Sequence, residues 1–233
     1  MRNKFEEKVR NISAYDVFTV DSQLQKKVID DLVLFLKTIK TEKNKAKQKQ
    51  DEKTANNLFY MQCFINAIRC SLKMWIYLKE QKYVDAWHSL VDAQEYMYYS
   101  LKAGKDIEKS KLYLYKLKER EQVIFPKFKF VSSGSIIEGG KCSICGRDFN
   151  NCEHIEENLY CGSICKRIDY KRLEFTHLAL VENPKDRGCI IEEFELDKKI
   201  YDWFTLKFKR NTNNIKEMEI KVCAYRVQQL DIF

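Results

Sequence analysis

Only two prolines and seven glycines occur in 233 residues, so little in this chain interrupts regular structure, least of all in its first half. No apolar run approaches the roughly 18–20 residues of a membrane-crossing helix. The N-terminus, Met1-Arg-Asn-Lys-Phe-Glu-Glu, has no apolar signal-peptide core. Three histidines leave few groups that titrate near neutral pH. A Gly-rich phosphate loop, a GxSxG elbow and an HExxH pair are all missing, so nothing marks a nucleotide hydrolase, a serine hydrolase or a metalloprotease. The expectation is a protein without catalytic residues.

Cysteine, by contrast, is plentiful, with nine residues. Their odd number, their CxxC clustering and the missing export signal point to reduced thiols around a metal in a cytosolic setting, not to disulfides. Cys142-Ser-Ile-Cys145-Gly is followed by Cys152, His154, Cys161 and Cys165, six metal-binding side chains within 24 residues. Two cysteines two residues apart can place both thiolates on one ion, and the following Gly146 lets the backbone turn tightly. Sulfur with one imidazole nitrogen suits tetrahedral Zn²⁺ in a closed, structural site. The compact ligand set is Cys142, Cys145, Cys152 and His154. A rival set takes Cys142, Cys145, Cys161 and Cys165, with the second pair at the start of a helix as in treble-clef modules. Two ions sharing all six donors, with Cys189, are a third arrangement. A catalytic zinc would keep a position for water, and the deaminase pairing of His-x-Glu with Pro-Cys-x-x-Cys is absent.

The net charge of +8 is uneven. Residues 1–125 hold 24 Lys/Arg against 17 Asp/Glu, and residues 126–233 hold 18 against 17. Six of those lysines fall between Lys40 and Lys53, facing three acids. Such a run reads first as a solvated helix extension or linker, and second as a surface for an acidic partner such as nucleic acid. Lys166, Arg167, Lys171 and Arg172 would line one edge of a short basic helix over 166–174, read first as a solvated face balanced by Asp169 and Glu174 and second as a nucleic-acid candidate.

Hydrophobic periodicity divides the chain near residue 125. Leu24, Val28, Leu32, Phe35, Leu36 and Ile39 recur at helical spacing, with Asp21 or Ser22 as the cap. Helices are likewise predicted over 54–79, over 82–103 ending at Gly104, and from Ile107 to about Val123 before Phe125-Pro126. Four amphipathic helices with short connections make an antiparallel bundle or a pair of helical hairpins. Beyond Pro126, Lys127–Val131 and His177–Val181 alternate like strands, and Ser132–Ser135 reads as a turn. Phe204, Leu206 and Phe208 alternate, as do Met218, Ile220 and Val222, which predicts a hairpin around Asn211–Asn214. The fold class is therefore α+β: a helical bundle over 1–125 and a small zinc-stabilised β-rich domain over 126–233. His88, Cys63, Cys70 and Cys223 fit core positions or their polar edges.

The second half also resembles a zinc-knuckle module of bacterial and phage proteins to which no function is attached. The residues that carry the likeness are Phe125-Pro, Phe130-x-Ser-x-Gly, Cys-Ser-Ile-Cys-Gly, Cys-x-His, Tyr160-x-Gly-x-x-Cys165 and Leu178-Ala-Leu-Val-Glu-Asn-Pro through Cys189. In that pattern Cys161 is an extra, which implies the ligands Cys142, Cys145, Cys152 and His154. Leu180-Val-Glu-Asn-Pro184 resembles the end of phage prohead proteases, but no matching nucleophile is present. The first half is similar to the helical bundles of HEPN proteins without their nuclease signature, since Arg69 and His88 lie 19 residues apart. The resemblance, with tyrosines such as Tyr77, Tyr83, Tyr96, Tyr98, Tyr99, Tyr113 and Tyr115 on the helices, leads to the expectation of a non-catalytic subunit. It would assemble with other proteins in a bacterial complex, with anti-phage defence as its setting.

Overall fold

The computed structural model describes residues 1–211 and 220–222. The α+β expectation holds, with five helices preceding a set of small antiparallel sheets. Helix α1 (Arg2–Ile12) lies ahead of the four that periodicity marks. Its Phe5 is fully buried, edge-on to Tyr60 at 5.7 Å and to Phe64 at 5.9 Å.

Helix α2 (Ser22–Gln48) starts where Asp21 caps it, accepting from Gln23 N at 2.8 Å and Leu24 N at 3.2 Å. It runs on past Lys40, so most of the lysine run is helix and not linker. Gln50, at φ 54°, makes the turn into α3 (Glu52–Lys79), whose Asp51 cap accepts from Thr54 N. Helix α3 is buried around almost its whole circumference between Ala55 and Ile76, which makes it the central element. Helices α2 and α4 (Tyr83–Lys102) both pack on it. Gly104 ends α4 at φ 64° as expected, and α5 (Ile107–Ile124) runs to the Phe125-Pro126 stop.

The chain forms two compact units, and they do not follow a single cut at residue 125. One unit contains Met1–Glu119 together with Gly139–Tyr170, so the cysteine segment belongs with the helices. The other contains, among the described residues, Arg120–Glu138, 171–211 and Ile220–Val222.

Within the second unit, β1 (Phe130–Glu138) pairs antiparallel with β6 (Arg172–Val181) as a two-stranded ribbon. The base of β1 is fastened to the rest of that unit by Val131 N to Cys189 O at 2.8 Å and Ile191 N to Lys129 O at 3.1 Å. A four-stranded sheet in the order β10-β7-β8-β9 completes it, from β7 (Ile191–Leu196), β8 (Lys199–Asp202), β9 (Phe208–Asn211) and β10 (Ile220–Val222).

Three expectations are corrected here. Ser132–Ser135 is not a turn but the middle of β1, with a bulge at Gly134/Ser135 that absorbs its irregular sequence. Residues 166–174 are not a helix: Arg167–Ile168 is strand β5, Asp169 takes φ 51°, and Arg172 already belongs to β6. Leu173 and Phe175 alternate with polar neighbours, and pairing with β1 outweighs any local helical preference. The C-terminal hairpin also fails. Strand β9 pairs with β8, and β10 pairs with β7, so the two proposed arms sit on opposite edges of one sheet. Met218 and Cys223 lie outside the described residues.

Candidate metal centre

The cysteine segment is built from three small hydrogen-bonded pieces. Strand β2 (Lys141–Cys142) pairs with β5 (Arg167–Ile168), which places Cys142 in the interior with no exposed surface. The chain then folds back over the Cys142 sulfur. Gly146 N donates to Cys142 O at 2.8 Å, Cys142 N to Arg147 O at 2.9 Å, and Ile144 N to Cys142 Sγ at 3.4 Å. Gly146 takes φ +71°, the tight turn that motivates glycine after the CxxC pair.

A single 3-10 turn, Phe149–Asn151, follows; Asp148 caps it by accepting from Asn150 N at 3.0 Å, and Cys152 leaves it in an extended conformation. His154 comes next, its ring edge-on to Tyr160 at 4.6 Å, while Tyr160 OH accepts from Ile155 N at 2.9 Å. The hairpin β3 (Leu159–Tyr160) and β4 (Ser163–Ile164) turns through Cys161 and Gly162, both at positive φ. Cys165 follows, buried, with its N donating to Asn158 O and its O accepting from Glu157 N, both at 2.8 Å.

These pieces bring Cys142, Cys145, Cys152 and His154 together, with their donor atoms all within 4.8 Å of one another. That spread is close to the reach of one ion with bonds of about 2.0–2.3 Å. The set is thus the compact one named from spacing. Of the rival pair, Cys165 comes near, its Sγ 3.7 Å from Cys142 Sγ, whereas Cys161 stands in the hairpin turn outside the group.

Burial alone would raise the Cys142 thiol, but the backbone N–H groups of Cys145 and Ile144 and the Cys165 thiol bring it down to about 7. Burial pushes Cys165 up to about 12, with the neighbouring Cys142 sulfur adding to the shift. Cys152 is also raised, by burial first. His154 Nδ1 is buried and no hydrogen-bond partner reaches it. A buried imidazole nitrogen left so is costly, and a metal ion is the partner that suits both it and three converging thiols.

The same module is fastened to the helices. Gly162 N donates to Asn56 Oδ1 at 2.7 Å, and Lys47 Nζ donates to Ser163 Oγ at 2.6 Å. Cys161 N lies 3.4 Å from Glu52 Oε1. Gly162 needs its lack of a side chain, because a Cβ there would stand 3.0 Å from Ala55 O. The sequence signal for this anchor is the Cys161-Gly162 pair itself, a two-residue hairpin turn. Nothing in the sequence names its partner.

The four residues proposed for nucleic acid around 166–172 do not form one helix edge and fall in different units. Lys166 and Arg167 belong to the unit with the helices, and Lys171 and Arg172 to the other. The Arg167 guanidinium stacks over Phe149 at 4.6 Å, and Arg172 pairs with Glu138 and Glu174. In the lysine run, Lys43 is buried over Phe59, Lys45 pairs with Glu42 at 2.8 Å, and Lys47 holds Ser163. Cys63, Cys70 and Cys189 are buried, and His88 is half-buried on α4. His177 lies exposed on β6, with Thr176 Oγ1 3.0 Å from its Nδ1.

Among the described residues no helix is long and apolar enough to cross a membrane. Comparison with family models, with curated proteins and with solved structures finds no match to this chain.

Proposed function

We propose that this is a non-catalytic zinc protein that joins a larger protein assembly in the cytosol, with the metal module bracing the helices and the β1–β6 ribbon docking on a partner subunit. Zinc is the choice because three thiolates and one imidazole fill four positions and leave none for a reacting water. The anti-phage setting rests on the likeness of the cysteine segment alone.

The observation that carries the docking reading is one face of the ribbon. Val131, Ser133, Ser135 and Ile137 stand directly opposite Leu180, Leu178, Phe175 and Leu173. The bulge keeps Phe175 and Leu178 on that same face despite their odd spacing. Leu180 is 68% exposed, Phe175 59%, Leu178 55% and Leu173 47%. On the opposite face Arg172 pairs with both Glu138 and Glu174. A two-stranded ribbon with a row of exposed large apolar residues is marginal alone and gains by being covered.

The test is native purification from the protein's own cell, with mass and zinc content recorded together. Recovery in a stoichiometric complex is expected, and Phe175→Glu with Leu178→Glu should release the partner while zinc content stays unchanged. A monodisperse zinc-containing monomer from the unaltered protein would overturn the reading. Nucleic acid is the second reading, motivated by the charge of residues 1–125, but many of its cations are already engaged within the chain. Salt-dependent binding that weakens on neutralising Lys49 and Lys53 would move it forward.

A further inference from the structure

Cys165 has no part in the four-ligand reading, yet its sulfur stands from that of Cys142 at the separation of two sulfurs on one metal ion. We propose that the centre is a five-donor site in which Cys165 is a reserve ligand, taking the metal position of His154 or Cys152 when either is lost. The proposal rests on the reading that the cluster binds zinc.

Two thiolates on one tetrahedral ion with bonds of about 2.3 Å lie about 3.8 Å apart. Cys165 Sγ is 3.7 Å from Cys142 Sγ. Cys165 is also as fully buried as Cys142, so its sulfur faces the interior of the module and not solvent. Its placement does not depend on the ion, because both its backbone groups are held by Glu157 and Asn158. The hairpin that leads into Cys165 also supplies Tyr160, whose ring packs on His154. The hairpin that leads into the incoming donor therefore also touches His154 through Tyr160, and no distant segment need move.

The exchange balances simply. The zinc–imidazole bond would break, the Cys165 thiol would give its proton to the released imidazole, and a zinc–sulfur bond would form. The product is a four-thiolate site of Cys142, Cys145, Cys152 and Cys165, a set that zinc also accepts. Cys161, in the hairpin turn, takes no part.

Co²⁺ is the probe, because its charge-transfer absorbance grows with each thiolate bound and its d–d bands report four-coordination. The unaltered protein should bind one equivalent with the spectrum of three thiolates and one nitrogen. His154→Ala should still bind one equivalent tetrahedrally, with charge-transfer intensity raised by about one third as a fourth thiolate enters. Cys152→Ser should keep a three-thiolate spectrum, with Cys165 replacing the lost sulfur. Combining His154→Ala with Cys165→Ser should weaken binding by about 100-fold or more, the upper end of what loss of a supporting residue costs a metal site. Helical circular dichroism, carried by the bundle, shows that each variant is folded, and the two single variants test the same reserve independently. Loss of metal from both His154→Ala and Cys152→Ser would overturn the proposal, as would an unaltered protein that already shows four thiolates. Failure of the unaltered protein to take up Co²⁺ or Zn²⁺ would instead overturn the zinc reading itself.

Discussion

The Gly162 amide donates to Asn56 Oδ1 at 2.7 Å, tying the hairpin that carries Tyr160 and leads to Cys165 to the first turns of the central helix α3. Through this bond and the neighbouring Lys47–Ser163 bond, order in the metal module and order in the α2–α3 turn are linked.

Substitution at Gly162 should break that link. Alanine there would hold φ near +74° and press its Cβ against Ala55 O at 3.0 Å. Strain at a left-handed position plus a backbone clash should cost about 1–3 kcal/mol, read as a lower melting temperature and weaker metal retention. Asn56→Ala should cost less, about 1 kcal/mol, the worth of one hydrogen bond.

Metal removal should act on the same junction. A chelator is expected to lower the melting temperature and to increase hydrogen exchange in residues 141–165 and in the turn around Gln50. Cys142→Ser should give the same result without chelator. Unchanged exchange at the α2–α3 turn would show that the module folds independently of its ion.

Without metal, the Cys142 thiolate should form before those of Cys152 and Cys165. Its pKa in the fold, about 7, lies below the ordinary 9.0, because burial, which raises it, is outweighed by backbone N–H groups and neighbouring thiols together. A group depressed on folding adds stability that is complete above 9.0 and is lost as the pH falls through about 7. The ultraviolet thiolate absorbance of the metal-free protein should rise first near pH 7, and Cys142→Ser should remove that step. Metal affinity should fall over the same window, since protons compete for the thiolates.

Asp16 is the polar keystone of the helices. It is buried in the segment between α1 and α2 and accepts from Ser71 Oγ at 2.7 Å, Trp75 Nε1 at 3.1 Å and Tyr113 OH at 2.8 Å. Asp16→Ala would leave these donors without their shared acceptor and should cost about 3 kcal/mol or more. Chemical denaturation followed by tryptophan fluorescence measures it. Cys161→Ser, in the hairpin turn, should leave stability nearly unchanged by the same assay.

In the second unit, Glu193 should make the sheet sensitive to acid. Burial raises its carboxyl group, but bonds from Lys209 and Arg210 outweigh that and hold it below 4.5. Its contribution is present above 4.5 and disappears as the pH falls through the lower folded value. Glu193→Gln should flatten the acid limb of the stability profile.

Much of this molecule was legible in the sequence, for reasons that can be traced to particular residues. Leu32, Phe35, Leu36 and Ile39 sit on the buried face that their spacing implies, and Asp21 and Gly104 end helices where their side-chain chemistry says they must. Helix α1 was missed because it is short and strongly polar apart from Phe5 and Ile12, too few apolar positions to mark a period. The basic segment 166–174 misled because lysine and arginine are at home on a helix or an exposed strand alike, and the pairing with β1 decided between them.

The sequence by itself determined helices α2 to α5 and the compact group of candidate donors, because both are written in local spacing: every third or fourth residue apolar, and Cys142, Cys145, Cys152 and His154 within 13 positions. Tertiary structure alone decided that the cysteine segment joins the helices, that β9 and β10 part to opposite edges, and that Cys165 rests beside Cys142. The physical reason is common to all three. Each depends on hydrogen bonds or packing between residues far apart in the chain, such as Gly162 with Asn56, and no local pattern encodes which distant groups will meet.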